Sequence, residues 1–404
     1  MGDRVIWVVY FFLCVISLIE VFSAASTLVY KSGSYWPPLL KQAAFIVVGT
    51  IIVIVIHRVP CRIFKLVPIC LVPISVILLI ITLGSGGTND ASRWYSIGGI
   101  SFQPSELAKG AVVLTVALIL SRMQRPEGAD KRAMKPILIV TGLVCAIILP
   151  ENLSTAALLF GVVFLMMFIG RVPMSQLGKL LGVLALVGTL FAGVMLWEGK
   201  SHAFSENLSK VSYLHRVETW SSRLANHFTE EDKEAKRDPA KFDLDKNAQE
   251  AHAHIAIASS NFIGRMPGNS VERDFLSQAF SDFIFAIIIE EMGLWGGTIV
   301  VLLYVILLFR AGRIASRCER NFPPFLAMGL TLLMVSQAVL NMLVAVGLFP
   351  ITGQPLPLIS RGGTSMLINC AYFGMILSVS RYARQVKEPQ RTRFDGPMDD
   401  IKHE

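Results

Sequence analysis

Two ionisable residues stand close together in the stretch FQPSELAK, which covers positions 102–109 at the start of an apolar run. Glu106 and Lys109 are three positions apart, so they lie on one face if the run is helical, and Pro104 suits the first turn of a helix. An ionisable group inside a bilayer is costly and normally faces a partner or a water-filled cavity. The spacing therefore predicts either an ion pair that only holds helices together or part of the lining of a substrate cavity.

A second acidic cluster begins another apolar run further along the chain. Ser281 comes immediately before this run, Asp282 stands at its start, and Glu290 and Glu291 lie inside it. Ser281 suits the N-cap position, and the helix dipole favours an acid in the first turn, so capping alone would account for Asp282. A catalytic carboxylate is the other interpretation, and it stays open at this point. Glu290 lies about 12 Å further along a helix, where a carboxylate needs a partner or water.

Prolines and glycines dominate a third stretch, GLFPITGQPLPLISRGGTS at positions 347–365. They predict a loop that bends sharply and then enters a helix. Ser360 and Arg361 stand near its end, before a Gly-Gly pair that allows close approach of the backbone. A fixed guanidinium at a membrane interface suits phosphate recognition. It would equally serve by snorkelling to lipid headgroups, so both roles for Arg361 remain open.

Long apolar segments must position these residues. The 404 residues are 53% hydrophobic and only 16% charged, which is too little charge to cover a soluble protein of this size. A helix needs about 20 mainly apolar residues to cross a bilayer. We therefore predict an all-α polytopic membrane protein with about ten transmembrane helices, near 5–25, 39–57, 66–84, 103–121, 136–149, 153–170, 178–197, 282–309, 323–349 and 359–380.

Basic residues set the predicted orientation. With the N-terminus in the cytoplasm, the cytoplasmic segments hold 21 lysines and arginines and the short outer loops hold 4, as the positive-inside rule requires. Both termini are therefore expected in the cytoplasm, with 381–404 as a basic tail. These clusters also explain the net charge of +8 without a nucleic-acid partner. Membrane lipids are the expected neighbours.

One long segment, 198–281, interrupts the apolar runs between the seventh and eighth predicted spans. In this orientation it is a large extracytoplasmic loop, and it separates a block of seven helices (1–197) from a block of three (282–380). Its charged middle, 229–241, is typical of a solvated helix or a mobile loop. The stretch 249–282 mixes apolar residues with glycine and proline, which suggests a segment packed on the membrane surface.

Taken together, these stretches resemble the SEDS family (shape, elongation, division and sporulation) of peptidoglycan glycosyltransferases over nearly the whole chain. The motifs that carry the resemblance are Arg93-Trp94, FQPSE-x-x-K at 102–109, Gly-Asn-Ser at 268–270, DFIFA at 282–286 with EE-x-G at 290–293, and G-x-PLP-x-IS-x-GG-x-S at 353–365. Gly-Asn-Ser and the run DFIFAII-x-EE are more similar to the cell-division branch, FtsW, than to the elongation branch, RodA.

The resemblance implies an enzyme that polymerises lipid II into glycan strands at the outer face of the cytoplasmic membrane, for septal wall synthesis. It also implies a class B penicillin-binding protein transpeptidase as partner, together with other divisome proteins. The family's essential aspartate matches Asp282, which we expect to act as general base or as ligand to a divalent cation, Mg²⁺ or Mn²⁺. The expected substrate contacts are Arg93, Glu106, Lys109, Arg216, Arg265, Ser360 and Arg361, with the arginines against phosphate.

The chain departs from the family pattern in three places. The usual Leu-Pro-Glu-x-His-Thr before the aspartate is Leu-Ser-Gln-Ala-Phe-Ser at 276–281, so the Glu and His that would help the aspartate are absent. The family motif Gln/Glu-Pro-Asp/Asn-x-Gly/Ser-Thr corresponds to positions 150–155, where Pro150 and Glu151 stand in the reverse order. Arg361 stands where the family usually has tyrosine.

Three other functions remain open. One is a flippase or transporter for a lipid-linked precursor, in which Glu106, Lys109, Glu290 and Glu291 would form a pathway at the midplane. No inverted repeat in the sequence supports it. The second is a RodA-like elongation polymerase, and the third is a non-catalytic divisome scaffold.

Overall fold

The computed structural model describes residues 2–32, 36–84, 95–97, 100–198, 248–276, 279–361 and 363–394. The helices in these ranges are α1 (Arg4–Ser32), α2 (Trp36–Arg58), α3 (Val67–Gly84), α4 (Pro104–Arg122), α5 (Met134–Ile148), α6 (Leu153–Ile169), α7 (Met174–Glu198), α8 (Ala248–Ser259), α9 (Ile284–Ala315), α10 (Phe322–Ala345) and α11 (Gly363–Phe394). Two short antiparallel hairpins pair β1 (Tyr95–Ile97) with β2 (Ile100–Phe102) and β3 (Gln124–Arg125) with β4 (Gly128–Ala129).

Each of the ten predicted spans overlaps one of these helices, which confirms the polytopic membrane fold. By length and composition, α1, α2, α4, α9, α10 and α11 can cross a bilayer, and α3, α6 and α7 contain shorter apolar helices. The sequence analysis does not predict α8 or the two hairpins. It also ends the last span at 380, whereas α11 continues to Phe394.

Helix α4 lies at the centre of the bundle, where it contacts α3, α5, α6, α10 and α11. In its most apolar stretch 78% of the residues are buried in protein, against 17% for α2. Large apolar side chains of α2, such as Ile51 and Val55, are exposed, as expected for a helix that faces lipid chains. The polar side chains of α4 are therefore enclosed by protein.

Small residues let the central helices approach each other closely. A Cβ atom on Gly110 of α4 would lie 2.2 Å from the hydroxyl oxygen of Tyr372 on α11. A Cβ atom on Gly49 of α2 would lie 2.5 Å from the sulfur of Cys370, also on α11. Dispersion between closely packed helices replaces the hydrophobic effect as the driving force inside a membrane, so these glycines hold α11 against both neighbours.

Helix α9 is interrupted at Gly293, whose φ of 70° and ψ of −172° are not helical. Gly264 approaches the same point, because a Cβ atom there would lie 2.3 Å from the backbone nitrogen of Gly293. The part of α9 after the break, 294–315, is by itself about 33 Å long at 1.5 Å per residue, enough to cross the hydrocarbon core. The span predicted at 282–309 therefore contains a break that the sequence pattern does not predict.

Candidate functional site

A buried ion pair lies on α4, at the positions where the sequence predicts it. The ammonium nitrogen of Lys109 is 2.8 Å from Oε1 of Glu106 and 2.7 Å from Oε1 of Gln337 on α10. Lys109 and Glu106 are 0% and 2% exposed. Because the charge of Lys109 is balanced and its donors point at two oxygens, its desolvation is largely compensated. This geometry agrees with an ion pair that holds helices together, and a role in substrate binding stays a prediction.

Helix α10 connects this ion pair to the neighbourhood of Asp282. Gln337 donates from Nε2 to the carbonyl oxygen of Pro355 at 3.0 Å. One turn later, Asn341 donates from Nδ2 to the carbonyl oxygens of Asp282 at 2.9 Å and Gln354 at 2.8 Å. Residues four apart lie on one face of a helix, so one face of α10 contacts both the loop before α11 and the segment before α9.

Three consecutive backbone carbonyls hold the segment that carries Asp282. The carbonyl oxygen of Phe280 accepts from the backbone nitrogen of Arg361 at 3.0 Å. The carbonyl oxygen of Ser281 accepts from the hydroxyl of Ser360 at 2.8 Å, and that of Asp282 accepts from Asn341. Each contact comes from a distant part of the chain, so the position of the aspartate is determined by tertiary structure.

Asp282 is not a helix cap. Helix α9 begins at Ile284, its N-cap position is Phe283, and no side chain caps it. The hydroxyl of Ser281 donates instead to Oδ1 of Asp282 at 2.9 Å. The capping interpretation of Ser281 and Asp282 is therefore wrong, because the chain makes two further non-helical residues before the helix starts. The half-buried carboxylate lies in a turn immediately before the N-terminus of α9.

Ser360 and Arg361, two of the expected substrate contacts, lie next to this turn. Ser360 is buried and makes a second contact, accepting from the backbone nitrogen of Leu356 at 2.7 Å. Arg361 is half-buried. These two residues therefore share the neighbourhood of Asp282, and their contact with substrate stays a prediction.

A separate acidic site forms around the break in α9. Glu290 accepts hydrogen bonds from the hydroxyl of Ser270 and from the backbone nitrogen of Val271. The guanidinium of Arg265 is 3.7 Å from Oε1 of Glu290, and the Arg265 side chain is 39% exposed. A carboxylate this far inside a membrane helix needs a partner or water. The segment before α9 supplies the partners of Glu290.

One carboxylate oxygen of Glu291 has a different set of partners, and the other, Oε2, has no hydrogen-bond partner within the described residues. Oε1 of Glu291 lies 3.6 Å from Nη1 of Arg273 and accepts from the hydroxyl of Ser23 on α1. Nη1 of Arg273 also donates to the carbonyl oxygen of Ser23 at 2.7 Å. Arg265 and Arg273 are therefore both engaged with buried glutamates, and the sequence analysis does not identify Arg273 or Ser23.

Two of the expected phosphate contacts, Arg93 and Arg216, lie outside the described residues. For a divalent ion, the described residues contain no group of three His, Cys, Asp or Glu side chains that could hold a metal. An ion at Asp282 would take its other ligands from water and substrate phosphates, as Mg²⁺ commonly does. The role of Asp282 as a metal ligand stays a prediction.

The sequence analysis also does not identify Gln337, Asn341 and Gln354, although all three are at most 2% exposed. Two of them stand four residues apart inside a predicted span, and buried polar side chains in a span usually face a partner or a cavity. That spacing is the signal that would have found Gln337 and Asn341. Within the described residues, the side-chain oxygens of Asn341 and Gln354 have no hydrogen-bond donor.

The chain matches the family model of cell cycle proteins of the FtsW, RodA and SpoVE type over residues 3–385. It is similar to a "Probable peptidoglycan glycosyltransferase FtsW" of Geobacter sp. (strain M18), with 28% identity over 95% of this chain and 97% of that one. It is also similar to "Stage V sporulation protein E" of Bacillus subtilis (strain 168), with 29% identity over 95% of this chain and 98% of that one.

The fold is that of a solved structure described as "Structural coordination of polymerization and crosslinking by a peptidoglycan synthase complex". The two chains superpose with a TM-score of 0.72 at 23% identity, and the match covers 95% of this chain and 99% of that one. The family model covers nearly every helix and both sides of the turn that holds Asp282. The protein therefore belongs to the FtsW/RodA/SpoVE family of cell cycle proteins.

Proposed function

We propose that this protein is a peptidoglycan glycosyltransferase that polymerises lipid II into glycan strands for the septal wall. The observation that carries the proposal is the turn at Asp282, where three hydrogen bonds from α10 and from the loop before α11 hold the backbone carbonyls of residues 280–282. The half-buried carboxylate of Asp282 accepts from the hydroxyl of Ser281. A rigidly positioned acid at the end of a membrane helix suits proton transfer at the membrane surface. The names of the curated relatives agree with this reaction.

In the proposed reaction, the Asp282 carboxylate accepts the proton of an acceptor sugar hydroxyl. The oxygen of that hydroxyl forms a bond to the anomeric carbon of the donor. The bond from this carbon to the polyprenyl pyrophosphate breaks, and the pyrophosphate leaves with the electron pair. Attack opposite the leaving group inverts the configuration of the sugar. One positioned general base typically contributes about 10²–10⁴-fold in rate.

Cations must stabilise the charge that grows on the pyrophosphate. Arg361 is the strongest candidate, because its own backbone nitrogen bonds to the segment of the aspartate. Arg93 and Arg216 are further proposed contacts. Arg265 would need to leave Glu290 before it could contact phosphate, and its exposed position permits that exchange. A Mg²⁺ or Mn²⁺ ion held by Asp282 would supply additional positive charge to the same oxygens.

We further propose the cytoplasmic membrane as the location, with both termini in the cytoplasm and Asp282 at the outer face. The distribution of basic residues supports this orientation. A class B penicillin-binding protein is the proposed partner, since the solved structure of similar fold is described as a complex that coordinates polymerisation and crosslinking. Other divisome proteins follow from the cell-division assignment.

The test compares Asp282→Asn with wild type in a lipid II polymerisation assay on purified protein. Asn keeps the size of the side chain and can still accept from Ser281, so we expect a loss of stability below about 1 kcal/mol. Asn cannot take up the proton, so we expect glycan polymer to form about 10²–10⁴-fold more slowly.

Asp274→Asn is the matched control, because Asp274 is an exposed acid of the same outer segment. It should polymerise at the wild-type rate. Near-normal polymer formation by Asp282→Asn would remove this residue from the mechanism. Translocation of lipid II without polymer in the wild-type protein would instead support the flippase.

A further inference from the structure

A basic cavity of about 190 Å³ lies at the end of the bundle remote from Asp282. It is formed by the connection from α2 to α3, the start of α10 and the last turns of α11. Its lining includes four cationic side chains, Arg62, Lys65, Arg320 and Arg381, and none of its described lining residues is acidic. Helix α10 joins the two ends of the bundle, because Phe322 at its start lines the cavity and Asn341 contacts the backbone of Asp282. These two residues are about 28 Å apart along the helix at 1.5 Å per residue.

No carboxylate among the described side chains neutralises these cations. Arg381 donates from Nη2 to the carbonyl oxygen of Arg58 at 2.9 Å, and the Lys65 nitrogen lies 5.6 Å from the ring centre of Phe322. Neither contact provides a negative charge. None of the four forms an ion pair with a carboxylate in the part of the chain that the structure describes. Four positive groups around one cavity repel each other unless an anion enters it.

A second basic cavity, of about 380 Å³, lies on the other side of α11. In this cavity a carboxylate of the protein pairs with one of the arginines. Its lining includes Arg4, Arg310, Arg317 and Arg384, but also Asp3. Asp3 forms an ion pair with Arg310 and receives a hydrogen bond at its carboxylate from a backbone nitrogen of α1. Among its described lining residues the first cavity has no such acid, so all four of its cations are left for an external anion.

Exposed apolar side chains adjoin the first cavity. Ile63, Leu66 and Ile69 are 49%, 63% and 61% exposed. The first two lie on the same connection as Arg62 and Lys65, and Ile69 lies in the first turn of α3. Cations that stand beside surface suited to hydrocarbon chains match a lipid, whose phosphate and acyl chains are joined in one molecule. A soluble anion would have no use for these apolar neighbours.

We propose that this cavity binds the phosphate headgroup of an anionic phospholipid, with the acyl chains against Ile63, Leu66 and Ile69. In the proposed orientation this lipid belongs to the cytoplasmic leaflet. The site is independent of the proposed reaction, since it lies at the opposite end of the bundle from Asp282. Bound lipid would connect the α2–α3 connection to α10 and α11 through its phosphate.

The test measures lipid binding to the purified full-length protein in neutral detergent. Dioleoylphosphatidylglycerol, dioleoylphosphatidylcholine and inorganic phosphate are titrated separately, and binding is followed by native mass spectrometry and by the thermal unfolding temperature. We expect phosphatidylglycerol to bind and to raise the unfolding temperature, with phosphatidylcholine much weaker. The double variant Arg62→Gln with Arg320→Gln should lower the affinity for phosphatidylglycerol about 30-fold.

The matched control is Lys131→Gln with Arg132→Gln, which removes two exposed charges from the connection between α4 and α5 and should keep wild-type affinity. Arg62→Lys with Arg320→Lys keeps the charge and should keep most of the binding. If the double glutamine variant fails to fold, Arg62→Gln alone should still weaken binding about fivefold. Wild-type affinity in the glutamine variants, an equal loss in the control, or equal stabilisation by inorganic phosphate would each overturn the proposal.

Discussion

Two buried acidic sites in this protein are compensated in different ways. On α4, Glu106 pairs with Lys109 of the same helix at 2.8 Å. On α9, Glu290 and Glu291 are compensated by the segment 265–273 and by α1. The first site is complete once its helix has formed and α10 has packed on it, whereas the second requires the whole segment to fold onto the break at Gly293. Helical spacing therefore reveals the first kind of compensation and not the second.

The largest effect should come from breaking the local pair. Glu106→Ala leaves the buried Lys109 with only Gln337 as partner, and removing one member of a buried ion pair typically costs about 3–5 kcal/mol. Thermal unfolding in detergent should therefore show a large loss of stability. The double variant Glu106→Ala with Lys109→Ala should be more stable than the single variant, because it removes the unpaired charge.

The same two variants separate the interpretations of the pair. If the single and double variants stay equally stable and neither makes polymer, the pair is part of the substrate-binding lining rather than a structural contact. If the single variant alone is destabilised, the local pair is structural, as its complete burial suggests.

The second largest loss of stability should come from a substitution at Gly293, where the backbone of the second site is closely packed. Gly293→Ala places a Cβ atom 2.3 Å from the carbonyl oxygen of Phe262, at a φ of 70°. We expect a loss of about 3 kcal/mol, measured by thermal unfolding. Gly161→Ala on α6 is the control, because a Cβ atom there meets nothing within 4 Å and alanine is favoured over glycine in helices by about 1 kcal/mol.

If Gly293→Ala left the thermal stability unchanged, the close approach of Gly264 and Gly293 would not determine the second site. The segment would then have another way to reach Glu290 and Glu291.

The smallest effects should come from the side chains of Glu290 and its partner Arg265. Glu290→Ala leaves the hydroxyl of Ser270 and the backbone nitrogen of Val271 without their acceptor, which we expect to cost about 1–3 kcal/mol. Arg265→Ala removes only an exposed ion pair and should cost less than about 1 kcal/mol. Equal losses in thermal stability would show that charge, rather than hydrogen bonding, holds the segment at this site.

The positions of the long apolar helices could be predicted from the sequence. Every predicted span overlaps a helix, because a bilayer demands long apolar runs that no other fold class needs. The Glu106–Lys109 contact also followed, since both members belong to one helix. The break in α9 did not, because a glycine in an apolar run is compatible with a continuous helix as well as with an interrupted one.

The candidate site divides in the same way. The motif resemblance selected Asp282, Ser360 and Arg361, and the structure places them side by side. Asn341 was not selected, although its side chain bonds to the backbone of Asp282 from 59 residues away. Nor did the sequence distinguish a helix cap from a turn at Ser281, because the same residue types satisfy either geometry.

The sequence by itself determined that this chain crosses a membrane many times and which family its motifs resemble. These properties depend on local composition and spacing, which a linear pattern carries in full. Only the tertiary structure decided that Asp282 lies in a turn held by α10 and the loop before α11. It also decided that the segment before α9 supplies partners to Glu290 and Glu291. Those contacts join residues that the chain separates widely, so no local pattern specifies them.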